Sequence, residues 1–299
     1  MPNIHFSLTK HQQSFFGARL RLIYNNIIIK LAPPHSCLEV NALTTHSEDV
    51  VEYVDATADI VISGRGLRLE MSVPTGMTQP IRLLPLFQSM ADSFVGLALK
   101  DAETEAAKVS CKKGCGACCR QLVPISEVEA HQLRDLVDDM PEPRRSEIRA
   151  RFGVERLRLQ KSGLLEKLLM PERLRPEERT LFALDYFIQG IACPFLEEES
   201  CSIYNDRPIP CREYLVVSPA ENCAKPSPDA VKCLKIPAEV SRAVRCFNPE
   251  QSPGRWVPLI LAIEWANAHP DELPLHLGTE LVHELLSRLV GKEKPGPAI

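Results

Sequence analysis

Hydrophobic and polar positions divide the chain into a short strand-like region followed by a long helical one. Before about residue 70, branched and aromatic residues gather at 19–24, 26–31, 50–54 and 59–63, with polar stretches between them. That is a pattern of short strands and turns. Residues 67–73 read as a further strand, ended by Pro74-Thr75-Gly76. From Ile81 the period changes. Leu83, Leu84, Phe87, Met90, Ala91, Phe94, Val95 and Ala98 recur at helical intervals, which predicts a core-facing helix whose polar end runs out toward residue 110.

Ser126-Glu127-Val128-Glu129 is a capping-box pattern, and the helix it opens runs to about Met140, where Pro141 and Pro143 stop it. Residues 144–170 are charged with leucines at helical spacing, interrupted at Gly153 and Gly163. Pro176 and Glu177 open another helix through Leu181, Leu184, Phe187 and Ile188, and Gly190 suits its C-terminus. Residues 193–237 are rich in proline and turns, with Asp206 and Pro208 as a helix entry that places Cys211 and Tyr214 near its first turns. Two apolar helices, 257–268 and 277–290, and a loose tail end the chain. The expected fold is mainly α with a small β-containing N-terminal part (α+β), its helices set around cysteine-bearing loops. Its expected partition is a strand-like segment 1–66, a cysteine-bearing domain 67–250, and C-terminal helices with a tail at 251–299.

Composition narrows the function classes. Of 299 residues, 44% are hydrophobic and 25% charged, ordinary for a soluble globular protein. A net charge of -4 gives no general attraction to nucleic acid or anionic membrane. The first residues lack a charged start followed by an apolar run, and the most apolar windows, 83–99 and 256–266, are broken by Arg, Gln, Asp or Glu. Neither a signal peptide nor a membrane span is expected. The expected location is cytoplasmic, where eleven cysteines point to metal binding or thiol chemistry rather than to structural disulfides.

The cysteines are not scattered. Cys111, Cys115, Cys118 and Cys119 fall in one short stretch with Gly114 and Gly116, bordered by Lys112, Lys113 and Arg120. Cys193, Cys201 and Cys211 follow after a long gap, with Arg207 and Arg212 flanking the last. The thiolate is the metal-binding species, and neighbouring cations and amides favour it. Glycines allow the tight backbone that a ligand loop needs. No histidine lies in either set, the nearest being His131, so a mixed Cys/His zinc finger or a histidine-built zinc hydrolase is not indicated. The other histidines considered, His269, His276 and His283, read as surface or satisfied helix residues.

Three rivals fit less well. Cys115-Gly116-Ala117-Cys118 has the spacing of a thiol-disulfide oxidoreductase, but the region after it is helical. Cys111, Cys115 and Cys118 have the spacing of radical S-adenosylmethionine enzymes, but Ala117 stands where those have an aromatic residue, and repeated strand-helix units do not follow. A single four-cysteine ribbon leaves the second set unused. Adjacent Cys118 and Cys119 point side chains apart, which argues for two metals or a cluster, or for one structural or reactive thiol. Zinc and an iron-sulfur cluster both remain open.

Gly114-Cys115-Gly116-Ala117-Cys118-Cys119, Cys193-Pro194-Phe195-Leu196, Cys201-Ser202-Ile203-Tyr204, Arg207-Pro208 and Cys211-Arg212-Glu213-Tyr214 together resemble the CxxCxxCC cysteine-cluster family of the YkgJ type, which chelates zinc or iron. The resemblance spans about residues 70–240. Ser218-Pro219-Ala220-Glu221-Asn222-Cys223 looks like its continuation and adds Cys223. The resemblance implies a metal held by Cys111, Cys115, Cys118, Cys119, Cys193, Cys201, Cys211 and Cys223. The better-defined relatives are flagellin lysine N-methylases, which implies S-adenosylmethionine-dependent protein-lysine methylation as the alternative. No independent methyl-donor motif accompanies it. Cys37, Cys233 and Cys246 match no part of the pattern.

Overall fold

Alternating side chains build the N-terminal sheet. The computed structural model describes residues 5–9, 20–24, 27–30, 52–225, 227, 230–247, 255–269 and 275–290; Cys37 and the tail at 291–299 lie outside them. In β4 (Tyr53–Ile62) Val54, Ala56, Ala58, Ile60 and Ile62 are buried, and in β5 (Arg65–Pro74) Leu67, Leu69, Met71 and Val73 are. A period of two puts each set on one face. The strands pair antiparallel along their whole length, from Tyr53 opposite Pro74 to Ile62 opposite Arg65. Ser63 and Gly64, at φ 52° and 78°, form the two-residue turn that suits the strands' twist. Flanking them are β1 (His5–Thr9), β2 (Leu20–Tyr24) and β3 (Ile27–Lys30), in the order β1-β4-β5-β2-β3.

The hydrophobic pattern predicts two strands at 50–54 and 59–63 with a turn between, whereas the structure has one strand there. Asp55 and Asp59 are its exposed face, and the intervening Ala56 and Ala58 are buried. Small apolar residues on the inward face hide the alternation.

The sheet lies against α1 (Leu84–Thr104), which follows a single turn of 3-10 helix at Pro80–Leu83. Phe87, Met90 and Phe94 of α1 are fully buried and share a core with the sheet, with α7 (Val240–Val244) and with α9 (Gly278–Val290). α9 starts directly on the end of β5: a Cβ at Gly278 would stand 2.4 Å from the Pro74 carbonyl oxygen. β6 (Met77–Thr78) pairs with β11 (His276–Leu277) beside this contact.

A second core forms from α2 (Glu127–Asp138), α3 (Arg144–Ser162) and α8 (Ala262–Ala268), through Leu133, Val137, Ile148, Phe152 and Ala266. The capping box of α2 is present in both directions between Ser126 and Glu129. α3 runs unbroken through Gly153, which is exposed; a helical glycine costs only about 1 kcal/mol relative to alanine, and packing on both sides outweighs it. Gly163, at φ 74°, ends α3. α4 (Leu165–Leu169) and α5 (Pro176–Ile188) follow, with Gly190 at φ 61° just beyond. The helix expected at 257–268 starts late, because Val257–Pro258 forms β10, paired with β7 (Pro124–Ile125). Three shorter elements carry or border cysteines: β8 (Leu196–Glu197), β9 (Ser200–Cys201) and α6 (Ile209–Glu213). The fold is mainly α with a small antiparallel β part. Among the described residues no helix is long and apolar enough to cross a membrane.

Candidate metal centre

The first cysteine loop is shaped by two glycines with different tasks. Gly114 sits at φ 85°, a left-handed conformation that a side chain disfavours. Gly116 leaves no room for a Cβ, which would meet Glu199 Oε2 at 2.6 Å and Leu196 Cδ1 at 2.7 Å. That contact seats the loop on the β8–β9 hairpin, whose second strand carries Cys201. Arg120 reinforces the seat: its guanidinium donates to the Gly116 carbonyl at 3.0 Å and to both oxygens of Glu199. Glu198 and Glu199 both have positive φ, 48° and 56°, so the hairpin turn is a primed one built without glycine. Cys118 and Cys119 lie on a 3-10 turn, Ala117–Arg120.

Two backbone contacts fasten the second set to this loop. The Cys193 amide donates to the Cys119 carbonyl at 2.7 Å, and the Val216 amide donates to the Cys111 sulfur at 3.3 Å. Cys211 rides on α6, whose start is held from below: the Ile209 amide donates to Glu129 Oε1 at 2.6 Å, while the other Glu129 oxygen takes the amide and hydroxyl of Ser126. One buried carboxylate thus joins the N-termini of α2 and α6. Its cost is visible in the carboxyl, which burial pushes upward against the pull of those hydrogen bonds. Arg212 clamps the same region, donating to Asp92 at 2.7 Å and to the carbonyls of Arg207 and Asn205.

Cys118 is electrostatically coupled to cysteines of both sets. Its thiol is held far above the ordinary range, first by a hydrogen bond with Cys119 and then by burial. Its charge contributes to the upward shifts of Cys111, Cys223, Cys193, Cys201 and Cys211. Burial pushes Cys193 up to about 12 and raises Cys201, Cys211, Cys111 and Cys223 as well. Arg207, stacked 3.7 Å from the Tyr204 ring centre, pulls Cys118 and Cys201 back down. Of the flanking cations, Arg207 therefore faces the thiols, Arg212 is taken up by oxygen acceptors, and Lys112 and Lys113 are exposed.

All ten described cysteines are free thiols. Among the described residues, no three His, Cys, Asp or Glu side chains close on a common point as a ready-made metal-holding group. The donor chemistry nevertheless suits a soft metal: only sulfur is offered, and His131 lies elsewhere, its ring against Trp265 at 5.5 Å. Thiols held neutral by burial must lose protons to bind metal, so binding and proton release are coupled.

Sequence reasoning misses three structural relationships around the cysteines. Glu199 carries no motif, since its role depends on a turn conformation; Glu129 is legible as a cap but not as the anchor of α6. Cys233, which fits no part of the cysteine pattern, forms an antiparallel bridge with Val216.

Residues 110–233 match the CxxCxxCC family model, described as "Putative zinc- or iron-chelating domain". The match lies inside the expected 70–240 span and covers less than half of the chain, leaving the N-terminal sheet, α1 and the last helices outside. No curated protein and no solved structure matches the chain.

Proposed function

We propose that this protein holds zinc or iron through thiolates drawn from both halves of its cysteine set: Cys111, Cys115, Cys118, Cys119, Cys193, Cys201, Cys211 and Cys223. The observation that carries this reading is the Cys193–Cys119 backbone bond at 2.7 Å, which joins segments far apart in sequence. The family match over 110–233 supports the same chemistry.

Each residue then has a task. The cysteines supply the ligands, Gly116 lets their loop reach the hairpin, and Glu129 sets the position of Cys211 through α6. Four thiolates on a divalent ion leave a net charge near minus two, which the Arg207 guanidinium offsets. When bound, zinc would supply a fixed cross-link between segments, and an iron-sulfur cluster would add one-electron chemistry. A structural zinc contributes about 10–16 kcal/mol of apparent binding free energy, against about 5–15 kcal/mol for the whole stability of a domain. The cysteine-bearing region is therefore expected to depend on its metal.

The methyl-transfer alternative draws no support from the fold. Every strand pair among the described residues is antiparallel, whereas a strand, glycine-rich turn and helix of the nucleotide-binding kind belong to parallel sheets.

Purification without oxygen, followed by metal and labile-sulfide analysis and a visible spectrum, tests the proposal. Colour with iron and sulfide identifies a cluster, and colourless protein with stoichiometric zinc identifies a zinc site. Fully folded protein with neither metal contradicts both forms.

A further inference from the structure

The β8–β9 hairpin is fastened differently at its root and at its tip. At the root, the Leu196 amide donates to the Cys193 carbonyl at 2.9 Å, and the Ser202 amide and hydroxyl donate to the Phe195 carbonyl at 2.9 and 3.0 Å. Phe195 is fully buried, its ring meeting Phe152 of α3 edge-on at 5.6 Å. Glu197 adds contacts with the guanidinium groups of Arg144 and Arg151 on the same helix. The root is thus part of the second core.

The tip is held otherwise. Glu198 and Glu199 are exposed, and both have left-handed backbone, at φ 48° and 56°. A primed turn favours asparagine, aspartate or glycine there, so two glutamates work against the turn they form. Against that stands the Glu199 carboxylate, which takes the Arg120 guanidinium through both oxygens, at 2.9 and 2.5 Å. The pair is half-exposed, so its strength is modest and falls with salt. It presses Glu199 and Leu196 onto Gly116, at the entry to the turn that carries Cys118 and Cys119. An open cavity of about 680 Å³, lined by Arg151 and by Leu196, Glu198, Ser200 and Cys201, borders the hairpin and leaves its tip room to move.

We propose that the hairpin tip is a lid on the first cysteine loop, latched by the Arg120–Glu199 pair and biased to open by the left-handed backbone of Glu198 and Glu199. Opening breaks one half-exposed ion pair, keeps the buried root, and uncovers Gly116. Cys201 moves with the tip, because it ends β9. The consequence for metal rests on the metal-holding reading above: the thiolates set how tightly the metal is held, and the lid sets how fast it enters and leaves.

The test uses the full chain as purified without oxygen and reads backbone hydrogen exchange by mass spectrometry. Glu199→Gln is expected to speed exchange about threefold in segments 115–121 and 196–201, with segment 155–162 of α3 unchanged. Sodium chloride at about 0.5 M is expected to do the same in the parent and to add nothing in Glu199→Gln. Glu198→Asn keeps the latch and suits the turn, so exchange in both segments is expected to slow about twofold. Release of bound metal into excess chelator is expected to be fastest in Glu199→Gln and slowest in Glu198→Asn. Unchanged exchange in Glu199→Gln, faster exchange in Glu198→Asn, or equal metal release from all three chains overturns the lid. A parent chain that carries neither zinc nor iron overturns the metal-holding reading instead, and exchange then decides the lid alone. Should Glu199→Gln fail to fold, exchange in the parent and Glu198→Asn that is indifferent to salt and equal in the two chains overturns it.

Discussion

The amide of Cys193 donates to the carbonyl of Cys119 across 2.7 Å, so two cysteine segments separated by helices α2 to α5 meet through their main chains. The bond does not depend on either sulfur. In the folded chain the two main chains therefore run side by side, and a metal that cross-links their thiolates would lock the same contact.

Loss of a ligand is expected to cost metal and fold together. Cys115→Ala should reduce bound metal and lower the thermal midpoint in the same preparation, because metal binding contributes on the order of the whole domain stability. Metal content and circular dichroism measured side by side check this. A Cys115→Ala protein with its full complement of metal would contradict it.

Gly116→Ala is expected to destabilise by about 1–3 kcal/mol, the usual cost of overpacking. The added methyl would meet Glu199 Oε2 at 2.6 Å and Leu196 Cδ1 at 2.7 Å, and the hairpin bearing Cys201 would have to move. Urea unfolding measures the cost. The sharper readout is metal affinity, which should fall in Gly116→Ala and stay near that of the parent in Gly153→Ala, at an exposed helical position with open space around it.

Glu129→Ala removes the acceptor shared by Ile209 and Ser126. Three buried donors, the Ile209 amide and the amide and hydroxyl of Ser126, lose their partner, for an expected loss on the order of 3 kcal/mol. Because Ile209 begins the helix that carries Cys211, metal affinity should fall as well. A variant as stable as the parent, with unchanged metal affinity, would show that the anchor has no such role.

Glu213 supplies a pH signature. Burial raises its carboxyl to about 8 in the folded chain, against the pull of two hydrogen bonds from Ser241. The folded-state value lies above the ordinary 4.5 of the unfolded chain. The associated stability is therefore fully present below about 4.5 and is lost as pH rises through about 8, at roughly 1.4 kcal/mol for each tenfold difference in proton affinity. The difference in unfolding free energy between the parent and Glu213→Gln, at fixed metal loading, should change in favour of Gln between about pH 5 and 8. A difference that is constant over this range would refute the assignment.

How far these features can be read from the residues varies with the distance over which each is determined. Ser126 with Glu129, and Gly163 and Gly190 at helix ends, act within a turn of their own positions, and their elements stand where the pattern puts them. The first cysteine loop is equally local. β4 is obscured because Ala56 and Ala58 are apolar in effect but small, so its polar face resembles a turn. The positive φ of Glu198 and Glu199, the reach of Glu129 to Ile209 and the pairing of Cys233 with Val216 all depend on segments brought together by the fold, and no local residue preference announces them. The sulfur set is recognisable by type and spacing; its grouping is not.

The most direct test of thiolate ligation is X-ray absorption at the metal edge of the protein purified without oxygen. The proposal predicts a first shell made only of sulfur, at about 2.3 Å if the metal is zinc. A first shell of nitrogen and oxygen, or folded protein without metal, would contradict it.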